Sequence, residues 1–428
     1  MESEYLKIIS NLQKLYLSDN RPWIVGYSGG KDSTMIVSMV FEMVHSVPSH
    51  ERTKNIHVVC TDTGVEIPAI IERINDEFFA MQSRSDEHSL KISTHLLKRP
   101  SQQSFWVNVI GRGYPPPNRM FRWCTQRLKI DPVSEFIRGM VGQWGEAIIL
   151  LGARRAESNS RAQTLDARPK NIQGLRRHDD LPRCWVATPI EHLLTDDVWN
   201  YLLERPNVWG GDNHSLYQLY RNASGGECPL VVDESTPSCG NSRFGCWTCT
   251  VVNRDKASEG LLASGDLRMK EFLRFREKLL EIREPQNGYR DAIRKNGEEG
   301  AGPVTMAGRK LLLEELLLLQ QNTGITTITE EEMHWIQVFW KSARNPDNGT
   351  GVADLIFQNR GERMPALHED QLNETRCEVA KELGVSVEIL VRLVEKIQEY
   401  SESHRKVNLD RDLKQILQDD LIGENNNV

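Results

Sequence analysis

The amino-acid sequence predicts an α/β protein: a doubly wound parallel sheet, then a Cys-rich insertion, then a helical C-terminal region. Short apolar runs alternate with segments of helical periodicity through residues 1–205, as in a parallel sheet covered on both faces. Residues 206–260 are rich in Gly, Ser, Pro and Cys and lack periodicity, whereas residues 261–428 are charged and helical in pattern. These three stretches are the predicted domains.

The individual elements follow from the spacing of the apolar residues. Strands are predicted at 22–27, 55–60, 91–97 and 147–151, and helices at 1–20, 33–45 and 67–83. Thr329 followed by three glutamates is typical of a helix start with a capping box. Two more helices are expected within 374–400.

Composition excludes several classes of protein. The 428 residues contain no apolar run of about 18, so neither a transmembrane helix nor a membrane partner is expected. The first residues, MESEYLKIIS, lack the basic start of a secretory signal. With eight cysteines in such a chain, we expect a reducing cytoplasmic location rather than a disulfide framework.

The net charge of −7 does not suggest a general nucleic-acid binder, but the charge is unevenly spread. Residues 96–130 carry seven Lys or Arg and no Asp or Glu, and residues 153–183 carry eight against four acids. A local basic surface on an acidic protein indicates an anionic substrate held at one site. Solvated loops balanced by acidic neighbours are the alternative.

The strongest local signal is the string SGGKDST between a predicted strand and a predicted helix. Its glycines let backbone N–H groups approach phosphate oxygens, the helix N-terminus adds partial positive charge, and its lysine adds a full charge. The Walker A pattern is absent. The residues predicted to bind phosphates are Ser28, Gly29, Gly30, Lys31, Asp32, Ser33 and Thr34.

Further candidates follow later strands, at the edge where parallel sheets bind ligands. Asp62 and Thr63 follow the second strand. The Asp62 carboxylate is expected to bind Mg²⁺ or an adenosine hydroxyl, or else to cap a helix. Gly152 follows the fourth strand. Arg154 and Arg161 come next, and their forked donors suit phosphate or another anion.

Four cysteines with the spacing C-x10-C-x6-C-x2-C predict a metal centre: Cys228, Cys239, Cys246 and Cys249. Four thiolates complete either a zinc site or an iron–sulfur cluster, and the spacing does not choose between them. Cys124, flanked by arginines, is either a ligand in place of Cys228 or a sulfur-carrying thiol. The other cysteines are expected to be structural: Cys60, Cys184 and Cys377.

The string SGGKDST after a buried strand resembles the loop of PP-loop ATP pyrophosphatases, in the adenine-nucleotide α-hydrolase-like superfamily. Such enzymes cut ATP to AMP and pyrophosphate while adenylylating a substrate oxygen. The strings RWCT, GARRAES and TPI resemble the PAPS reductase branch, which handles sulfur. The resemblance implies ATP and Mg²⁺ as cofactors, and catalytic roles for Lys31, Asp32, Ser33, Arg154, Arg161 and Cys124.

Longer strings narrow the resemblance over about residues 20–260: PWIVGYSGGKDST, FWVNVIGRGYPPPNRMFRWCTQRLKI, LGARRAESNSRA and PSCGNSRFGCWTCTVV. They are similar to the DndC family of DNA phosphorothioation proteins. This implies sulfur in place of a non-bridging phosphate oxygen of DNA, and a [4Fe–4S] cluster. The implied partners are DNA, other phosphorothioation proteins of the same system and a cysteine desulfurase as sulfur donor. The related Ssp system for single-strand modification has a similar member.

Other interpretations stay open at this level. The aromatic residues within 96–130 either hold a splayed nucleotide or pack the core: Phe105, Trp106, Tyr114 and Phe121. A PAPS or adenylylsulfate reductase would need a redox-active thiol near its C-terminus, and Cys377 lies in a helical context instead. A tRNA thiolation enzyme and a zinc-stabilised subunit that binds ATP as a conformational signal are the remaining alternatives.

Overall fold

The computed structural model describes residues 2–223, 245–341, 351–352, 355–356, 379–381, 383, 385–403 and 411–417. The chain forms two compact units, Met1–Gly361 and Glu362–Val428. The described part of the second unit contains the helix Val387–Ser403 and helical residues at 411–417. The predicted domain boundaries at 205/206 and 260/261 stay predictions.

The first unit is built on a six-stranded sheet. Its strands are β1 (Trp23–Gly26), β2 (Ile56–Asp62), β3 (Ile92–Lys98), β4 (Ala147–Leu150), β5 (Arg176–Arg177) and β6 (Cys184–Ala187). Their spatial order is β3-β2-β1-β4-β6-β5, with all neighbours parallel except β5 and β6. The chain order reverses between β1 and β4, so their carboxyl ends form the topological switch point where such sheets bind ligands.

Helices connect and cover these strands. In the first unit they are α1 (Glu2–Leu17), α2 (Lys31–Ser46), α3 (Pro68–His88), α4 (Asp131–Trp144), α5 (Asn159–Asp166), α6 (Thr195–Glu204), α7 (His214–Ala223), α8 (Lys256–Ala263), α9 (Met269–Arg283), α10 (Met306–Thr323) and α11 (Glu330–Lys341). Two π-helical turns, Val107–Gly111 and Thr125–Ile130, lie between β3 and α4.

Both faces of the sheet are buried. Ile137 of α4 packs with Ile24 and Ile149 on one face. Because side chains alternate along a strand, the fully buried Trp23 and Val25 point to the opposite face. Right-handed crossovers place α2 and α3 there, and α2 also packs against α1 and α6. The predicted fold class, a doubly wound parallel sheet with a helical C-terminal region, is confirmed.

The individual elements agree with the prediction where the apolar pattern is long. All four predicted strands and the three predicted helices in residues 1–83 form. The predicted capping box is also confirmed, because Thr329 Oγ1 accepts a hydrogen bond from the Glu332 N–H at 3.2 Å and Glu332 Oε2 accepts one from the Thr329 N–H at 2.8 Å. No helix in the described ranges has the length and apolar character needed to cross a membrane.

Candidate active site at the carboxyl edge of the sheet

The string SGGKDST spans the turn after β1 and the first turn of α2, at the switch point of the sheet. Gly29 has a φ of +70°, in the left-handed region that favours glycine. The Ser33 hydroxyl closes the turn: it accepts a hydrogen bond from the Ser28 N–H at 3.2 Å and donates to the Gly30 carbonyl at 2.9 Å. Thr34 Oγ1 donates to the same carbonyl at 3.0 Å. Local hydrogen bonds therefore hold the loop at the start of α2.

Gly152 brings the end of β4 against the first turn of α2. A Cβ at position 152 would lie 2.7 Å from the carbonyl oxygen of Asp32 and 3.1 Å from the backbone nitrogen of Ser33. Backbone atoms cannot rotate aside, so only glycine fits at this position. The two strand ends that flank the switch point therefore meet directly at the loop.

Asp32 lies between two cations. Its Oδ1 accepts a hydrogen bond from Arg154 Nε at 2.5 Å, and its Oδ2 lies 3.1 Å from Lys31 Nζ. Arg154 is only 2% exposed and also donates to the carbonyl of Leu193 at 3.2 Å. The structure thus joins three of the predicted catalytic residues in one ion network, in which Arg154 is a buried counter-charge that orients Asp32.

Tyr220, on α7, is a residue of this site that sequence reasoning missed. Its hydroxyl accepts a hydrogen bond from the Lys31 N–H at 3.3 Å, and the Lys31 ammonium lies 5.2 Å from the ring centroid. Burial raises the pKa of Tyr220, and the Asp32 carboxylate adds to the rise. The phenol therefore stays neutral beside the loop. No local sequence pattern links positions so far apart.

Asp62 and Thr63 lie at the end of β2, the neighbour of β1. Asp62 Oδ1 accepts a hydrogen bond from the Gly64 N–H at 2.8 Å, and its Oδ2 lies 2.8 Å from Lys98 Nζ. Thr63 donates from its hydroxyl and its N–H to the carboxylate of Glu66, at 2.6 and 3.0 Å. Sequence analysis did not single out Glu66, although the Thr-x-x-Glu spacing is the available signal.

The turn that carries Cys246 and Cys249 is joined to this end of β2. Cys246 forms an antiparallel β-bridge with Glu66, and its Sγ lies 3.6 Å from the hydroxyl oxygen of Thr63. The Cys249 N–H donates to the Cys246 carbonyl at 3.0 Å, which closes the C-x-x-C turn. A predicted nucleotide-binding residue and a predicted metal ligand therefore touch at one edge of the sheet.

Cys124 belongs to the same thiol site. Burial raises the pKa of Cys124, and the neighbouring Cys249 adds to the rise. Burial raises the pKa of Cys246 to about 11, while the ammonium of Lys129 opposes this change. The Cys246 sulfur in turn makes the largest contribution to the raised pKa of Lys129, with Glu66 contributing further. A cation beside these thiols favours the thiolate form that a metal or an electrophile requires.

The donor chemistry of this thiol site fits a sulfur-ligated metal centre, with Cys124, Cys246 and Cys249 as the described candidates. Within the described ranges, however, no three metal-ligating side chains are gathered closely enough to hold an ion. Cys228 and Cys239 lie outside the described residues, so their predicted ligand role stays a prediction. Whether Cys124 is a ligand or a sulfur-carrying thiol also stays open.

Helix α9 anchors the segment that follows the C-x-x-C turn. Arg276 is 2% exposed and donates to the carbonyls of Cys249 and Val252, at 2.9 and 2.5 Å. Arg283, two turns further along the helix, donates to the carbonyl of Thr250. Part of the helical region therefore positions the cysteine turn, a role that charge patterning along the helix did not indicate.

Other predicted residues lie apart from this centre or in the core. Arg161 is exposed on α5, and its Nε lies 3.3 Å from Oε2 of Glu157. Phe105 and Trp106 are buried, and the Trp106 indole donates to a backbone carbonyl at 2.7 Å, so of the two alternatives core packing applies to them. Phe121 is exposed. Cys60 and Cys184 are buried, as expected of structural thiols, and Cys377 lies outside the described residues.

Comparison with known proteins identifies the family. Residues 22–252, more than half of the chain, match the phosphoadenosine phosphosulfate reductase domain. The chain therefore belongs to this domain family. It is also 26% identical over 195 residues to the uncharacterized protein MJ0066 of Methanocaldococcus jannaschii, a match that covers 46% of this chain and 34% of that protein. The chain thus spans about a third of the length of this curated relative.

Solved structures similar to this chain share little sequence with it. Phosphoadenylyl-sulfate (PAPS) reductase from Candida auris, in a phosphate complex, is 11% identical, with a TM-score of 0.30, over 49% of this chain and 83% of that chain. The U34-tRNA thiolase NcsA from Methanococcus maripaludis, with its [4Fe-4S] cluster, is 14% identical, with a TM-score of 0.31, over 65% of this chain and 79% of that chain.

Proposed function

We propose that this protein is an ATP pyrophosphatase that activates a DNA backbone phosphate so that sulfur replaces one of its non-bridging oxygens. The observation that carries the proposal is the 3.6 Å contact between Thr63 Oγ1 and Cys246 Sγ. It joins the strand edge predicted to hold ATP to the thiol turn, so nucleotide activation and sulfur chemistry share one site. The family match supports the nucleotide and sulfur parts of the proposal.

In the activation step, a DNA phosphate oxygen attacks the α-phosphorus of ATP and pyrophosphate leaves. The loop amides and Lys31 bind the departing pyrophosphate through charge-assisted hydrogen bonds. Asp32 orients Lys31, and Arg154 holds Asp32 in place. Mg²⁺, when bound, neutralises phosphate charge, and the Asp62 carboxylate is an oxygen ligand suited to it.

In the sulfur step, the terminal sulfur of a protein persulfide attacks the activated DNA phosphorus. AMP leaves with the former non-bridging oxygen, and a second thiol then attacks the sulfur–sulfur bond, which releases the phosphorothioate and forms a disulfide. Cys124 is the candidate persulfide carrier, with the Lys129 ammonium favouring its thiolate, and a cellular thiol makes the second attack. A cysteine desulfurase would supply the persulfide sulfur, and a cellular thiol reductant would reduce the disulfide.

A [4Fe–4S] cluster, if bound at the thiol site, would supply one-electron transfer. Cys246 and Cys249 would hold it together with Cys228 and Cys239, which leaves Cys124 for sulfur transfer. The other proteins of a phosphorothioation system are proposed as partners on the resemblance of the longer strings.

The family match also favours a second candidate, a reductase that acts on an adenylylated small molecule such as PAPS or adenylylsulfate. The two candidates share the nucleotide loop and the thiols. They differ in the source of the adenylylated substrate: the pyrophosphatase makes it from ATP, whereas the reductase binds a preformed sulfonucleotide and does not cleave ATP.

The test is to identify the nucleotide products when anaerobically purified protein meets Mg·ATP, with and without duplex DNA. We expect AMP and pyrophosphate, formed faster when DNA is present. Lys31→Met removes the phosphate-binding charge and should lower the rate by about 100-fold or more. Lys7→Met is the matched control, because Lys7 is an exposed lysine on α1, outside the loop.

The outcomes separate the candidates. ADP and phosphate, or no turnover even with partner proteins added, would contradict the pyrophosphatase proposal. Sulfite release from PAPS or adenylylsulfate without ATP cleavage would favour the reductase. AMP formation stimulated by tRNA and not by DNA would keep the activation chemistry and change the substrate.

A further inference from the structure

A rigid proline loop precedes Cys124. The sequence Pro115-Pro116-Pro117 restricts the backbone, and Asn118 follows. Asn118 Oδ1 accepts hydrogen bonds from the N–H groups of Met120 and Phe121, both at 2.8 Å. The side chain of Asn118 therefore closes a tight turn whose shape does not depend on a bound partner.

Both ends of this loop are anchored. The Trp123 indole donates to the Pro115 carbonyl at 3.0 Å. Trp123 is buried, and its ring stacks on Phe105 with 5.5 Å between the ring centroids. Thr250 Oγ1, in the segment just after the C-x-x-C turn, donates to the Pro117 carbonyl at 2.5 Å. The loop is thus tied to the cysteine segment and has a fixed position beside it.

The four residues at the end of this loop, 119–122, are here called the tip. Met120 is 95% exposed and Phe121 is 45% exposed, so two large apolar side chains face solvent from a fixed turn. Arg119 and Arg122 flank them and are exposed. Neither arginine forms an ion pair with any described residue. Most other arginines of the site region are paired or stacked, as Arg99 is with Asp131 and Glu135.

We propose that the tip holds a polynucleotide, with Met120 and Phe121 wedged against an unstacked base while Arg119 and Arg122 contact the flanking phosphates. Apolar wedges flanked by arginines are a recurrent way to open a base step. Arg119 and Arg122 supply the complementary charge for a polyanion. Other cations of the basic stretch are already paired with acids: Lys98, Arg99 and Lys129. The inference rests on the proposed function in that DNA is its substrate.

The position of the tip gives it a role in that reaction. Arg122 precedes Cys124 by two residues, and Cys124 lies in the thiol site with Cys246 and Cys249. A strand held at the tip would therefore present its backbone phosphate to the thiol site. Opening a base step would also free the phosphate from the regular duplex, so it can turn toward the bound nucleotide.

The experiment measures binding of fluorescein-labelled duplex DNA, tRNA and phosphatidylserine vesicles to the full chain over a range of salt concentrations. Met120→Ala with Phe121→Ala removes the wedge, and we expect about tenfold weaker DNA binding with an unchanged salt dependence. Arg119→Ala with Arg122→Ala removes two phosphate contacts, and the slope of log Kd against log salt should fall by about 2. Phe79→Ala and Arg138→Ala are controls, since both residues are exposed on helices α3 and α4.

A second readout tests the wedge without relying on affinity. Wild-type protein should raise the fluorescence of 2-aminopurine placed in the duplex, because unstacking relieves quenching, and the Met120/Phe121 double variant should not. Circular dichroism of each variant reports whether it folds. AMP formation without DNA by the control variants Phe79→Ala and Arg138→Ala should stay within about twofold of wild type.

The outcomes distinguish this inference from the proposed function. DNA binding and 2-aminopurine signals equal to wild type in both double variants would overturn the tip assignment while leaving the proposed function intact. Binding of tRNA in place of DNA, lost in both variants, would keep the tip assignment and overturn the DNA part of the proposed function. Binding to vesicles alone, or to no polynucleotide, would overturn the tip assignment.

Discussion

The nucleotide loop and the thiol site lie at the same edge of the sheet but are built in different ways. The loop is one continuous string whose backbone is fixed by its own serine and threonine hydroxyls. The thiol site is assembled from distant segments: Cys124 from one turn, Cys246 and Cys249 from another, and Arg276 from α9. Local hydrogen bonds therefore define the first site, and tertiary contacts define the second.

This difference predicts how each site fails. A substitution in the ion network or at the close backbone contact of the loop should have a large effect, because it changes both the stability of the fold and nucleotide binding. A substitution that loosens the thiol site acts through the anchoring of a segment, so it should change thiol reactivity before it changes nucleotide binding.

The largest effect is expected from Arg154→Met compared with Arg161→Met. Arg154 is 2% exposed and bonded to Asp32, so its removal leaves a mostly buried carboxylate with Lys31 as its remaining partner. We expect a loss of about 3 kcal/mol in the free energy of unfolding. Arg161 forms an exposed pair with Glu157, and its removal should change stability by at most about 0.5 kcal/mol. Urea unfolding monitored by tryptophan fluorescence measures both, and equal losses would contradict the buried network.

The second effect concerns the close approach at Gly152. Gly152→Ala places a methyl group 2.7 Å from the Asp32 carbonyl, so α2 and β4 must separate. We expect about 2 kcal/mol of destabilisation and weaker ATP binding, measured by unfolding and by isothermal titration. Gly142→Ala, on α4 with open space around its Cβ, is the control and should be neutral or slightly stabilising. Unchanged ATP affinity in Gly152→Ala would contradict the assignment of the loop.

The third effect tests the anchoring of the thiol site. Arg276→Met leaves the carbonyls of Cys249 and Val252 without their donor and should cost about 1–2 kcal/mol. Labelling of Cys246 and Cys249 by a maleimide, followed by mass spectrometry, should become several-fold faster, because the turn opens more often. Arg268→Met, at the exposed start of the same helix, should leave both quantities unchanged. If Arg276→Met labels at the wild-type rate, α9 does not position the turn.

The smallest effect is a pH dependence that belongs to neither site. His57 Nδ1, on β2, lies 3.0 Å from His95 Nε2, on the neighbouring strand β3. Burial lowers the pKa of His57 to about 4, with His95 adding to the fall, and burial also lowers the pKa of His95. The folded protein therefore binds fewer protons than the unfolded chain between pH 6.5 and 4. Stability is fully present above pH 6.5 and declines as the pH falls toward 4.

After allowance for solvent screening of these half-buried rings, we expect a loss of about 1 kcal/mol between pH 7 and pH 5. His57→Gln should flatten this part of the stability profile, while His214→Gln, at an exposed position, should not. The same slope in both variants and wild type would assign the acid sensitivity to other groups.

The contrast between the two sites also explains what the sequence could predict. Four of the six strands and the loop are contiguous patterns, so periodicity and one seven-residue string were sufficient to predict them. The short strands β5 and β6 were not predicted. The roles of Tyr220 and Arg276 depend on contacts between residues far apart in the chain, which no local pattern encodes. Glu66 bonds Thr63 three residues away, so only its bridge to Cys246 lay beyond local patterns. The roles of Phe105 and Trp106 were ambiguous because the sequence of a basic stretch with aromatic residues looks the same whether those residues face the core or a ligand.

The central claim is that the nucleotide and the thiols occupy one site, and thiol protection tests it most directly. The measurement is the rate of maleimide labelling of each cysteine, read by peptide mass spectrometry, in reduced and metal-stripped protein with and without saturating Mg·ATP. The account predicts that ATP slows labelling of Cys246 and Cys124 by at least about threefold and leaves the buried Cys184 unchanged. Equal rates at Cys246 with and without ATP, in protein shown by titration to bind the nucleotide, would contradict it.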